Sequence, residues 1–466
     1  MALARFSAWL ERILAVFESA RARRIVLLAA VLLVLPSLFT GLSIDDYILL
    51  YYRRPDAFRG LHQGPFNLFW FEAFDWLIDG FGLPWWSFEH GRGRFMRPVT
   101  SFTHSIDAWF WPNSAHWMHL HSVAWFALVI VLAQRLYRMI HVTWVAGLAC
   151  VFFALEDAHG LPVGWISNRN ALIGAAGGFA ALICHHRFRS AGGAGFALAG
   201  AVCFGLGLLS SELAIGTAAY LFAYAVFLDT APWRARLLSL LPYAVVLGAW
   251  AFAYSTLGYG TYGLGSYLDP LRNTAEYLAA LPQRWVLLLS SQLGLVSSDF
   301  WMLVPPARRA WFWTLSLLTL VVAVWFIWPS LRAHRSSRFW ACGAALSAIA
   351  GTATMPNDRL LVFVGLGALA VTAQAVHDAL VAYRSHAERP WTATRAVLAG
   401  VMVVIHLCLA ALALPIRSLE SWIPARFTEM ADESVPKDPS ISGRTVIATH
   451  VSASLVVGYL QVMRLF

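Results

Sequence analysis

IVLLAAVLLVLPSLFTGL (Ile25–Leu42) is an uninterrupted apolar run long enough to cross a bilayer, and Ser43-Ile44-Asp45-Asp46 follows it directly. Ahead of it, Arg5, Arg12, Arg21, Arg23 and Arg24 face only Glu11 and Glu18, with apolar residues at helical spacing. Residues 1–24 therefore read as an amphipathic helix on the cytoplasmic surface, and Ile25–Leu42 as a retained anchor without a small-residue cleavage site. With the N-terminus inside, Asp45 and Asp46 emerge outside.

The rest of the chain repeats this pattern. Of 466 residues, 59% are hydrophobic and only 13% charged, which excludes a soluble domain and gives an all-α polytopic integral membrane protein. Further spans are expected near 117–134, 142–156, 170–184, 194–209, 213–228, 237–256, 310–328, 339–355, 360–377 and 396–414, about eleven in all. The net charge of +9 comes from arginines clustered at span ends, a topology signal that argues against a nucleic-acid partner. Arg135–His141, His185–Arg189, Asp229–Arg236, Leu331–Arg338 and Tyr383–Arg395 are basic connectors, placed in the cytoplasm by the positive-inside rule.

The first outer loop, 43–115, mixes aromatic clusters (Phe66–Phe74, Trp85-Trp86, Trp109–Trp111) with scattered charges and reads as short interfacial helices. Segment 285–304 precedes Pro305-Pro306 and is expected to form a re-entrant or interfacial hairpin. The membrane domain then covers 25–415, and 416–466 forms a small extracytoplasmic segment with a strand-like run at Thr445–Val451. Gly-rich Ala191–Gly207 lies inside a span and reads as close helix packing, not as a phosphate cradle. The five cysteines sit in or beside apolar runs without metal-type spacing, so they read as core thiols.

The titratable residues gather on the outer side. Asp45 and Asp46 either end a membrane helix in water or act as a general base on an acceptor hydroxyl. Arg97-Pro98 precedes His119 and His121, whose spacing of two turns them to different helix faces and makes them a poor chelating pair. The loop Glu156–Asn170 offers Glu156, Asp157, His159, Trp165 and Arg169, a set suited to sugar or phosphate contact and equally to a buried network. Glu212 stands in a tight turn between spans, and Arg272, Arg284 and Arg359 lie outside against the charge trend, where they suit a lipid phosphate or a headgroup.

The order of these motifs resembles a known family. An acidic pair after the first span, Arg97-Pro98-Val99-Thr100 before the second, Val163-Gly164-Trp165-Ile166-Ser167-Asn168-Arg169 after the third and Ser210-Ser211-Glu212 after the fifth is similar to the GT-C superfamily of polytopic glycosyltransferases. Within it, the chain looks closest to relatives of the tetratricopeptide-bearing (TMTC-type) O-mannosyltransferases, over roughly Ile25–Asp229. It departs from them in having Glu156-Asp157 for His-Pro, Leu161 for an acid and Ser211 for Lys, and the repeat array is not expected here. The resemblance implies an inverting transferase that takes sugar from a polyprenyl phosphate in a bacterial inner membrane, with Asp45 or Asp46 as base. It implies no metal, although magnesium-like ligation by the same acids is chemically open. The acceptor, a lipid, glycan or protein hydroxyl, is not encoded in these motifs. The competing expectations are a lipid or glycan transporter, which would carry charge at mid-membrane, and an inactive GT-C-like scaffold.

Overall fold

The computed structural model describes residues 19–54, 63–72, 91–141, 143–264, 266–385 and 389–434. Most of the amphipathic segment 1–24, the Trp85-Trp86 cluster and Thr445–Val451 lie outside the described residues.

In chain order, α1 (Ala20–Val34) runs into a 3-10 turn and then α2 (Asp45–Tyr51), β1 (Trp70–Glu72), β2 (Arg92–Arg94), α3 (Pro98–Phe110) and α4 (Ala115–Ile140). Next come α5 (Thr143–Leu155), α6 (Gly160–Gly164), α7 (Arg169–Ala191), α8 (Ala194–Leu208), α9 (Gly216–Ala223) and α10 (Trp233–Thr256). Strand β3 (Gly260–Tyr262) precedes α11 (Thr274–Leu293), α12 (Arg309–Ala333), α13 (Arg335–Gly351), α14 (Val362–Ser385), α15 (Pro390–Val403), α16 (Ala410–Arg417) and α17 (Trp422–Glu433). The chain is an integral membrane protein, a helical bundle carrying one small sheet.

Seven helical stretches among the described residues are long and apolar enough to cross a bilayer, and an eighth counts if the α5–α6 pair, bent by 44°, is one span. The expected eleven differ from this at four places. Besides the bent pair, 194–209 is a helix of 15 residues, 213–228 lies in a short helix, Glu212–Leu228, with 3-10 and π turns at its ends, and 339–355 falls in a helix of 17 residues. At 1.5 Å per residue, 15 residues span about 22 Å, short of the ~30 Å hydrocarbon core.

Segment 285–304 is likewise divided: its first half completes α11, and a 3-10 turn at Ser298–Met302 follows. Helix α11 is tied to α13 and the turn after it, with Tyr277 Oη donating to Ile349 O, Trp285 Nε1 to Ala345 O, and Arg284 Nη1 to Thr352 O and Thr354 O.

Burial orders the bundle. Helix α14 is the most enclosed, 78% of its apolar window lying inside, whereas α10 buries only 11% and presents Leu237, Leu238, Val245 and Phe252 outward, as a lipid-facing helix does. Around α14 pack Phe179, Tyr137, Tyr220 and Trp340, with the Phe179 and Phe363 rings edge to face at 5.5 Å. Helices α7 and α8 approach through glycine: a Cβ on Gly177 would stand 2.7 Å from the Gly207 Cα. Without water to drive apolar association in lipid, such close backbone packing is what holds helices together.

Polar connectors collect at two ends. The basic end joins Arg189 to Asp229 at 2.7 Å and surrounds Asp378 with Ser330, His334, Gln374 and His377. The opposite, acidic end holds α2, α3, α6, α11 and the sheet, ordered β1-β2-β3 and antiparallel, with Trp70 opposite Arg94 and Arg92 opposite Tyr262. The loop 43–115 was expected to form interfacial helices. Its described part supplies α2 and α3, and also two strands.

Candidate functional site

The chain leaves the first span through Pro36 and is fixed at once. His119 Nε2 lies 2.8 Å from Gly41 O and 2.9 Å from Thr40 Oγ1, so this nitrogen carries the proton and ties α4 to the exit of α1. Ile44 then adopts φ +41°, a region costly for a β-branched residue, and the next residue starts α2. That forced turn sends Asp45 and Asp46 in different directions.

Asp46 points inward and is 1% exposed. Its Oδ2 accepts from Ser43 N at 2.9 Å, and its Oδ1 accepts from Ser167 N at 2.7 Å and from the Ser167 hydroxyl. Burial pushes its pKa up to about 7 against these donors. Asp45, at the start of α2, is half-buried; burial raises the pKa of the Tyr52 phenol, and the Asp45 charge adds to that rise. One carboxylate is thus buried in the fold, and the other is half-buried.

Behind them lies a charge knot. Arg169 is fully buried, its Nη1 donating to Asp107 Oδ2 at 2.6 Å, Nε to Ser122 Oγ at 2.9 Å and Nη2 to Met118 O at 2.6 Å. His121 Nδ1 sits 2.7 Å from Asp107 Oδ1, and His121 Nε2 accepts from Trp125 Nε1. Burial pushes the Asp107 carboxyl up, but the Arg169 guanidinium with His121 and His104 together outweigh it and hold the pKa below the usual range. Burial and the same cation push His104 down to about 3. A void of about 10 Å3, room for roughly one water, separates Asp46 from His104 and Asp107. Arg169 and His121 therefore tie α3, α4 and α7 together beneath the acidic pair.

Two further contacts complete this end. Arg97 reaches Glu212 through Nε at 2.8 Å and Nη2 at 2.7 Å, its guanidinium 4.3 Å from the Phe95 ring centroid. Alongside, Val99 N donates to Leu209 O and Thr100 Oγ1 to Ser210 O. Arg359 stacks over Trp165 at 5.3 Å, with no carboxylate in ion-pair range among the described residues.

Other expected residues lie apart from this group. His159 donates from Nε2 to Phe153 O at 2.9 Å in an aromatic pocket, Arg284 is buried on backbone carbonyls, and exposed Arg272 lies 3.9 Å from Asp269. Glu156 meets Gln292 Nε2 at 3.0 Å and His406 Nδ1 at 3.4 Å, and Asp157 meets Arg417 at 3.3 Å.

The residues that sequence reading missed are Ser167, Asp299, Asp358, His406 and Arg417. Arg417 joins Asp157, Asp299, Asp358 and Glu420. An arginine at the outer end of the last expected span was the one available signal for it. Among the described residues no three His, Cys, Asp or Glu side chains converge as a metal site would require.

No protein-family description matches the chain, and no characterised protein matches it in sequence. Among solved structures it is similar to the Archaeoglobus fulgidus oligosaccharyltransferase in its apo form, with 12% identity and TM-score 0.46 over 95% of this chain and 64% of that one. The archaeal oligosaccharyltransferase AglB of the same organism, in complex with an inhibitory peptide and a dolichol-phosphate, gives 12% and 0.45 over 92% and 61%. ArnT from Cupriavidus metallidurans bound to undecaprenyl phosphate gives 14% and 0.44 over 95% and 85%. The chain spans less than two thirds of the length of the archaeal enzymes, and likenesses this distant assign it to no family.

Proposed function

We propose that the chain is a GT-C-type membrane glycosyltransferase that moves a sugar from a polyprenyl phosphate to an acceptor hydroxyl at the acidic end, with inversion. The observation that carries this reading is how the four sequence motifs pair. Asp46 of the acidic pair bonds Ser167 of the Ile-Ser-Asn-Arg motif, and Arg97 of the Arg-Pro-Val-Thr motif pairs with Glu212 of the Ser-Ser-Glu motif. Stretches far apart in sequence thus meet in two pairs, which this reading assigns to one site with Asp45.

Asp45 is the general base in this proposal. It is half-buried, whereas Asp46 is 1% exposed, holds Ser43 and Ser167 with its two carboxylate oxygens and serves to position its neighbour. As the acceptor oxygen attacks the anomeric carbon, its proton passes to Asp45 and the phosphate leaves with the bonding pair. Arg359 is the cation placed to stabilise that phosphate, being stacked on Trp165 and unpaired with acid. Arg97 and Glu212 would orient sugar hydroxyls. No metal is assigned a role. The N-terminus is assigned to the cytoplasm, and the site to the extracytoplasmic face of a bacterial inner membrane.

Membranes carrying Asp45→Asn, Asp46→Asn and the double change test this with a labelled polyprenyl-phosphate sugar. Asp45→Asn should lose about 10²-fold or more of transfer while folding normally. Full transfer by the double variant would reject the mechanism, and activity lost only in Asp46→Asn would move the base to Asp46.

A further inference from the structure

Away from Asp45, the turn at Glu156, the end of α11 and the α15–α16 helix enclose a cavity of about 160 Å3. Glu156, Asp157 and Asp358 give it an acidic wall, while Leu295, Ile405 and Leu409 give it an apolar one. The charge here is unbalanced. Arg417 contacts Asp157, Asp299, Asp358 and Glu420 but not Glu156, so one guanidinium serves four carboxylates and leaves a fifth outside its reach. Glu156 is itself buried and has only the uncharged Gln292 amide and His406 beside it.

His406 says what is missing. It lines the cavity from a π-helical turn, Val404–Leu409, and is 2% exposed. Its Nδ1 faces Glu156 Oε2 at 3.4 Å, and its Nε2 is buried with no partner among the described residues. A buried polar nitrogen left unmet is costly, and with the imidazole neutral and its proton on Nδ1, a donor brought by a ligand would satisfy it. The apolar wall reaches the surface, since Leu295 is 64% exposed and Leu409 42%, on the flank of a span that turns Leu412 and Ile416 outward.

A group that offers several N–H donors, carries positive charge and continues into lipid is an alkylammonium. A neutral hydroxyl would leave the surplus charge, and no three-residue metal cluster exists among the described residues. We infer that this cavity binds a protonated primary amine carried by an amphiphile, its ammonium between Glu156, Asp157 and His406 Nε2 and its chain along Leu295 and Leu409. The site does not depend on the transferase reading. Its ligand is either an aminoethanol phospholipid head or a lipid-borne amino sugar.

The test uses the full chain in phosphatidylcholine nanodiscs with lyso-phosphatidylethanolamine, dodecyl glucosaminide and the N-acetyl form of each, read by native mass spectrometry and by titration. At least one amine should bind, acetylation should weaken it about tenfold or more, and Glu156→Gln should do the same. Leu409→Trp alters only an exposed wall residue and should block entry, which covers the case of Glu156→Gln failing to fold. Whichever amine binds identifies the source. The inference is overturned if neither amine binds, if the acetylated probes bind equally, or if Leu409→Trp leaves binding unchanged.

Discussion

Ile44, at φ +41°, is the smallest feature with consequences for the whole site, because it turns one acid of the pair inward and leaves the other within reach. A strained residue persists only where its surroundings over-determine it, and here the Asp46 bonds to Ser43 and Ser167 do so. The same burial sets a pH dependence. The Asp46 carboxyl titrates near pH 7 when folded and near 3.8 when unfolded, so between these values the native state holds the extra proton. Stability from this group is therefore present at low pH and is lost as pH rises from about 4 through about 7, by roughly 4 kcal/mol in the limit. Thermal midpoints of the detergent-solubilised protein should fall over that range more steeply than those of Asp46→Asn, whatever constant offset the variant carries. Parallel profiles would show that Asp46 titrates normally.

Among the elements, α6 has the least room. Gly164 O accepts from Ser421 Oγ at 2.6 Å, and a Cβ on Gly164 would meet Ser418 O at 2.0 Å. The last helices thus close directly over the turn that presents Trp165 and Ser167. Gly164→Ala should cost about 1–3 kcal/mol or more, because backbone has to move to admit the methyl. Gly248→Ala, on lipid-facing α10 with nothing within 4 Å, should be neutral or mildly stabilising. Comparing the two melting temperatures separates the packing term from helix propensity, and an equal shift in both would remove the packing argument. Arg169 acts on the same scale: its fork to Asp107, Ser122 and Met118 O is a geometry that Lys cannot reproduce.

For the molecule as a whole, the basic and acidic ends predict orientation. In a background with the five cysteines replaced, cysteine at Leu271, an exposed residue beside the acidic-end sheet, should react with a membrane-impermeant maleimide in intact cells. Cysteine at exposed Arg187, at the basic end, should react only after permeabilisation. The reverse pattern would put the Asp45 surface in the cytoplasm and remove the need for a lipid-linked donor. Composition alone identified a helical membrane protein, because spans are written as long apolar runs and their orientation as arginine placement. The span count was less legible: a run such as 213–228 looks long enough in hydropathy, yet it forms a shorter apolar helix, Glu212–Leu228, that starts in a 3-10 turn and ends in a π turn.

The sequence by itself put Asp45, Asp46 and Glu212 at span ends and Arg97 and Trp165 in the connectors on the same side, where polarity has to interrupt an apolar run. It could not separate Asp45 from Asp46, since that depends on a backbone turn at Ile44 and on a serine 121 positions away. Nor could it tell the accessible Arg359 from the buried Arg169, because the two are chemically identical and differ only in what the fold packs around them. Tertiary structure decided both, for burial and partnership of a charge are set by contacts between distant segments and have no local signature.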